Sequence, residues 1–192
     1  MFDMTKIPDG GRDLFTNVAT VFSPNRKHRY WWQAEWDATL PPLVMCALNP
    51  STADEWSGDP TVNRMVQRAR NGGQGSFIIV NLFAFRSTSP KGLAPLTDAE
   101  RIGADNDTHI DKAAREAVER GGIFTCGWGV NAEKYHPGRG AAVLDIIRAA
   151  GASPMAYKVT KAGHPQHPLY LGYATKAEPY PPMPSTETNN AA

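Results

Sequence analysis

Two asparagines that each end an apolar run, and a closely spaced pair of histidines, have the most chemistry to offer in this chain. Asn49 lies in MCALNPSTAD (45–54), Asn81 in FIIVNLFAFR (77–86), and His164 and His167 in GHPQHPLYL (163–171). An asparagine amide carries a donor and an acceptor side by side, so it matches the adjacent C=O and N–H edge of a pyrimidine. Phe83 or Phe85 offers a ring face for stacking, and a histidine can donate to a carbonyl oxygen that gains negative charge. Ser51, Thr52 and Arg86, with Lys161 and the basic run from Arg26 and Lys27 to Arg29, are suited to phosphate. This set fits recognition of a planar nucleobase, or cleavage beside one.

Each residue also has a plainer role. Asn49 can cap a turn, as asparagine commonly does. Phe83 and Phe85 alternate along a strand end, so one of them belongs to the core. The histidines, each followed by proline, can be solvated loop residues, and Asp54 and Asp59 can be helix-start carboxylates. The functional reading therefore depends on whether the fold brings the residues to one place.

The elements that must do so are legible in outline. ATVFSPNRKHRYWWQAEWD (19–37) has two β-rich runs around a turn and reads as a hairpin with a basic tip. Leu43–Leu48 is a short apolar strand, and Asp59-Pro60 starts a helix in which Val62, Met65, Val66 and Ala69 recur at helical spacing. Further strands are expected at 76–82, at IFTCGW (123–128) and near 154–160, with helices over 106–120 and 139–150. The polar stretch 86–107 reads as a functional loop. Strands alternating with helices predict a three-layer α/β/α fold. Its central sheet would be mostly parallel with four to five strands, and the N-terminal β-hairpin would be an addition to it. In such sheets ligands bind outside the carboxyl ends of the strands, where all three polar segments would emerge. Residues 1–18 read as a lead-in, 19–176 as a single domain, and the proline-rich 177–192 as a disordered tail.

Bulk properties exclude rather little. The 192 residues carry a formal net charge of +1, with 41% apolar and 20% charged residues, which is ordinary for a globular protein. Cys46 and Cys126, the two cysteines, each sit in an apolar run and read as buried reduced thiols; they are too few for a four-cysteine metal or iron–sulfur site. No apolar run reaches the roughly 18 residues of a membrane span, and the N-terminus lacks the apolar core of a signal peptide. The expectation is a cytoplasmic monomer without cofactor or metal.

The motifs resemble those of the uracil-DNA glycosylase superfamily. ALNPS resembles its G-I-N-P-G first-strand motif, and IIVNLFAFRSTSP resembles the segment whose asparagine reads the base. TCGWGVNAEKY (125–135) is similar to L-W-G-x-x-A, and His167-Pro168-Leu169-Tyr170-Leu171 to the closing H-P motif, all in the same order. LNPSTAD, DPTVNR, VNLFAFRST and GHPQHPLYL resemble, more closely, a bacterial and phage family of unknown function. The superfamily resemblance implies that Asn49 positions the attacking water where efficient members use aspartate, and that Asn81 reads the base edge. It implies too that His167, or His164, stabilises the departing base, that Ser51 and Thr52 sit by the sugar phosphate, and that Trp56 stands in for a stacking aromatic. Asparagine cannot serve as a general base, so hydrolysis would lean on leaving-group stabilisation. Three functions are consistent with these features: a DNA glycosylase; a non-catalytic module binding a nucleobase or modified DNA; and an enzyme acting on free nucleosides or nucleotides, or in DNA hypermodification.

Overall fold

The computed structural model describes residues 16–52 and 59–181. Most of the expected lead-in, most of the tail, Asp54 and Trp56 lie outside the described residues.

The strands are β1 (Asn17–Phe22), β2 (Arg29–Glu35), β3 (Pro42–Ala47), β4 (Ser76–Asn81), β5 (Ile123–Cys126), β6 (Pro154–Ala156) and β7 (Glu178–Pro179). They form a seven-stranded sheet in the order β1-β2-β4-β3-β5-β6-β7. β3 pairs in parallel with β4 and β5, and β5 with β6; β1–β2, β2–β4 and β6–β7 are antiparallel. The expected mostly parallel sheet of four to five strands in a three-layer fold is thus incorrect: the sheet is mixed and larger. The hairpin is not an appendage. β2 lies along β4 with Trp32 opposite Ile79 and Ala34 opposite Phe77, and so pairs the backbone groups that β4 would otherwise leave at an open edge. Trp31 and Trp32 are core residues, 4% and 7% exposed. At the opposite edge β7 pairs with β6 and Tyr180 is buried, so chain assigned to the tail continues the fold to at least that residue.

Helices α1 (Pro60–Asn71), α2 (Asp98–Ile102), α3 (Asn106–Glu119), α4 (Asn131–Tyr135) and α5 (Arg139–Ala149) join the strands. Strand alternation splits the core in two. Leu43 and Met45 of β3, with Phe77 and Ile79 of β4, meet Val62, Met65, Val66 and Ala69 of α1. Val44, Cys46, Ile78 and Val80 face the other way, against Ile110, Ala113 and Ala114 of α3 and Val143, Leu144 and Ile147 of α5. Cys46 and Cys126 lie opposite each other on the α3 side as free buried thiols, and burial pushes both pKa values up, away from the reactive thiolate. The 86–107 stretch is partly ordered into a 3-10 turn (Pro90–Leu93) and α2. Thr97 and Glu100 close a capping box at the start of α2, a signal present in the sequence as Thr-x-x-Glu.

Candidate functional site

The site is assembled where β3 and β4 end. Ala47 is in register with Asn81, and just beyond it the chain turns at Asn49-Pro50. By the alternation of β4, Asn81 shares the α1 face with Phe77 and Ile79. Its backbone is held from the other face, where Asn106 Nδ2 donates to the carbonyls of Asn81 (2.9 Å) and Leu82 (3.0 Å). Arg139 Nε adds a bond to Leu82 O at 3.0 Å. The Asn81 side chain itself is 1% exposed, and its Oδ1 has no hydrogen-bond partner. A buried acceptor left without a partner costs about 1–3 kcal/mol; Asn81 Oδ1 shares this condition with other buried atoms, Asn106 Oδ1 among them, and differs in lying where the two strands end.

Asn49 Nδ2 donates to Ser87 O at 2.8 Å and Pro50 O at 3.1 Å, tying the turn after β3 to the segment after β4. These bonds orient the amide and leave its Oδ1 as the acceptor available to a ligand or water. Ser51 Oγ donates to Asp59 Oδ2 at 2.9 Å, while Asp59 Oδ1 caps α1 by accepting from Thr61 N and Val62 N. The Ser51 hydroxyl, expected to meet phosphate, here donates to the carboxylate that caps the helix. Thr52 shares a 2.6 Å hydroxyl contact with Thr88. Arg86 donates to Thr52 O (2.9 Å) and Arg26 O (3.2 Å), and its backbone N–H to Lys27 O (2.9 Å). The hairpin tip with Arg26 and Lys27 is thereby stitched to the two strand-end segments, and Arg86 has a positioning role there.

His167 precedes the 3-10 turn Pro168–Tyr170 and accepts a 3.3 Å bond from Leu169 N at Nδ1. In the neutral ring the proton is then on Nε2, which becomes a donor. Burial lowers the His167 pKa below the usual histidine value, with the nearby Asp59 carboxylate opposing, so the ring is neutral at pH 7. Two features seat this turn. Gly127, after β5, has no room for a side chain: a Cβ there would lie 2.8 Å from Met45 Cε and 2.9 Å from Pro168 Cδ. Arg68 of α1 donates to the carbonyls of Leu171, Gly172, Tyr173 and Thr175 at 2.9–3.3 Å and lies 4.2 Å from the Tyr157 ring, and Arg64 also donates to Leu171 O. The last loop is thus clamped onto the helix that Asp59 caps.

Other expected residues lie elsewhere. Phe83 is fully buried in the α3-side core and offers no ring face. Phe85 packs against the same core and meets His28 edge-on at 5.8 Å. Both rings fall on the α3 side because the chain leaves β4 at Asn81, which removes Phe83 as a stacking surface and leaves Phe85 half-buried. His164 closes the turn from Thr160 through its backbone, and Lys161 is exposed in that turn. His164 Nδ1 is buried without a partner, and the charge environment of His167 includes Asp59.

The sequence reading missed the burial of Arg29, which it grouped with the basic hairpin tip. Between Val21 and Phe22 the register of β1 on β2 advances from Trp31 to Arg29, so Tyr30 is the extra residue of a bulge. Tyr30 stacks on His109 of α3 at 5.1 Å, whereas the charged neighbours of Arg29 are Asp59 and Arg86. Arg29 is 4% exposed, and burial lowers its guanidinium to about 10, Asp59 opposing and Arg86 adding to the shift.

Among the described residues no group of three or more His, Cys, Asp or Glu could hold a metal ion, and no helix is long and apolar enough to cross a membrane. Fold and side chains together define a mixed α/β protein with a candidate polar site at two strand ends, beside a bulged neighbouring strand and a late 3-10 turn. The chain belongs to the family described as "Protein of unknown function (DUF1643)", which matches residues 29–169. Among curated proteins no match is found.

Proposed function

We propose that the protein binds a nucleobase at the carboxyl ends of β3 and β4 and hydrolyses its N-glycosidic bond in DNA, as a glycosylase-like enzyme without cofactor. The observation that carries this reading is the Asn81 amide, which is 1% exposed, held by its backbone from behind, and unpartnered at Oδ1. A base edge presenting an N–H beside a C=O would satisfy both halves of that amide. His167, neutral with its proton on Nε2, would donate to a base carbonyl as the C1′–N bond breaks and the bonding pair leaves with the base. Asn49 Oδ1 would accept a hydrogen bond from the water that adds to C1′, and the proton that water then loses would neutralise the departed base anion. An amide orients that water without deprotonating it, so the rate would rest on stabilising the leaving group and would be slow.

A second reading, a module that binds a base without cleaving it, is favoured by the way Asn49 is tied to Ser87 O and Pro50 O, a structural duty that an asparagine can perform with no chemistry at all. One experiment separates the two. Purified protein is incubated with oligonucleotides carrying uracil, mismatched thymine or modified pyrimidines, and both alkali-labile sites and binding are measured. Cleavage lost in Asn81→Leu and His167→Gln supports the enzyme. Salt-dependent binding without product supports the module. Neither product nor binding across the set rejects both.

A further inference from the structure

Four arginines are buried among the described residues: Arg29, Arg68, Arg101 and Arg139. Arg68 meets four carbonyls, Arg101 donates to Leu96 O and pairs with Asp98, and Arg139 pairs with Asp107 while bonding Leu82 O. The Nε of Arg29 is sealed without a partner, as are those of Arg68 and Arg101, but Arg29 alone of the four has no acceptor among the described residues on its Nη atoms either. Asp59, the carboxylate nearest to it in electrostatic effect, already serves Thr61 N, Val62 N and the Ser51 hydroxyl. Arg86 adds a second positive charge nearby, and the neutral His167 adds none. A buried cation normally has a hydrogen-bonded counter-charge. Past the bulge in β2, Arg29 is anchored beside the strand-end segment, its backbone N–H bonded at 2.9 Å to Ala84 O, three residues beyond Asn81.

We propose that Arg29 receives an oxyanion of the ligand, two acceptor oxygens meeting the guanidinium fork, while Asn81 takes the base edge of the same molecule. The part concerning Asn81 rests on the nucleobase reading above; the part concerning Arg29 stands on its own burial and lack of an acceptor. A guanidinium suits this better than an ammonium because its planar donors match phosphate or carboxylate in a bidentate fashion. Such an oxyanion has two sources: the phosphate of a nucleotide or DNA strand, or a carboxylate on the base itself.

The test is calorimetric titration of the full chain with four probes: inorganic phosphate, 2′-deoxyuridine, its 5′-monophosphate, and 5-carboxy-2′-deoxyuridine. The variants are Arg29→Met, Arg29→Lys and Asn81→Leu. At least one anionic nucleoside is expected to bind about 10- to 100-fold more tightly than 2′-deoxyuridine, as for a charged hydrogen-bonded pair. That advantage should vanish in Arg29→Met and be only partly kept in Arg29→Lys. A gain with the monophosphate, competed by inorganic phosphate, identifies the phosphate source; a gain with the carboxylated nucleoside identifies the base. The proposal is overturned if anionic probes bind no better than the neutral one, if Arg29→Met binds them like wild type, or if no probe binds at millimolar concentration. Arg29-dependent phosphate binding that ignores Asn81→Leu would keep the oxyanion site and reject base reading. Asn81-dependent binding of 2′-deoxyuridine that ignores Arg29→Met would do the reverse.

Discussion

The seam between α1 and the 171–175 loop and the edge where β3 and β4 end each contain an arginine buried to nearly the same degree, 6% exposed for Arg68 and 4% for Arg29. At the seam, Arg68 reaches four backbone carbonyls and lies 4.2 Å from the Tyr157 ring. At the strand ends, Arg29 bonds no acceptor among the described residues, and the Asn81 Oδ1 on the neighbouring strand is unpartnered too. Burial alone does not distinguish a structural polar group from a functional one; the saturation of its donors and acceptors does. At the seam both Nη atoms of Arg68 are met by carbonyls and only its Nε has no partner, whereas at the strand ends neither the Nη atoms nor the Nε of Arg29 bond an acceptor among the described residues.

Breaking the seam should give the largest effect. Arg68→Ala removes charged hydrogen bonds to four carbonyls, and should cost about 3 kcal/mol and lower Tm by about 6–12 °C in a thermal melt. Replacing the strand-end arginine should do the opposite. Arg29→Met removes a buried cation without hydrogen-bonded partners and keeps an apolar stem, so the free protein should be unchanged or more stable by about 1–2 kcal/mol in urea unfolding. A loss comparable to that of Arg68→Ala would mean that Arg29 is structural and the contrast false.

The smallest effect is a pH dependence. The folded-state pKa of His167 is lowered, so its contribution to stability is present above the unfolded histidine value of about 6.5 and is lost as pH falls through the folded value. Comparing melts at pH 7.5 and 5.5, His167→Gln should lose less Tm on acidification than the parent. An equal loss in both would show that His167 titrates as an exposed histidine does.

Much of the positioning frame was legible. The strand ending at Asn81 and the helices over 106–120 and 139–150 are observed at Ser76–Asn81, Asn106–Glu119 and Arg139–Ala149, because their apolar periodicity is strong and local. The size and mixed direction of the sheet were not. That β2 pairs with β4, more than 40 residues on, is decided by which open edge the hairpin covers, and local pattern does not encode it. Arg29 was hidden for a related reason: a bulge shifts the two-residue alternation by one, so a residue that belongs with an exposed basic turn by sequence is turned inward. Spacing left open which of Phe83 and Phe85 would face a ligand, because it says nothing of the chain's departure from β4 at Asn81. Tyr180 was lost in a proline-rich run, although a lone aromatic in such a stretch is a reasonable sign of an anchor.

The central claim is that the Asn81 amide is held ready for a base edge, and the most direct test is ligand-induced stabilisation of wild type and Asn81→Leu. Leucine matches the shape of asparagine without its polar atoms, so the free variant should melt at or above the wild-type temperature. In the presence of a uracil-containing or modified-pyrimidine oligonucleotide at about 100 times its dissociation constant, wild type should gain about 2.7 kcal/mol and Asn81→Leu most of that less. An Asn81→Leu protein that is stabilised by the same oligonucleotide as fully as wild type would contradict the account.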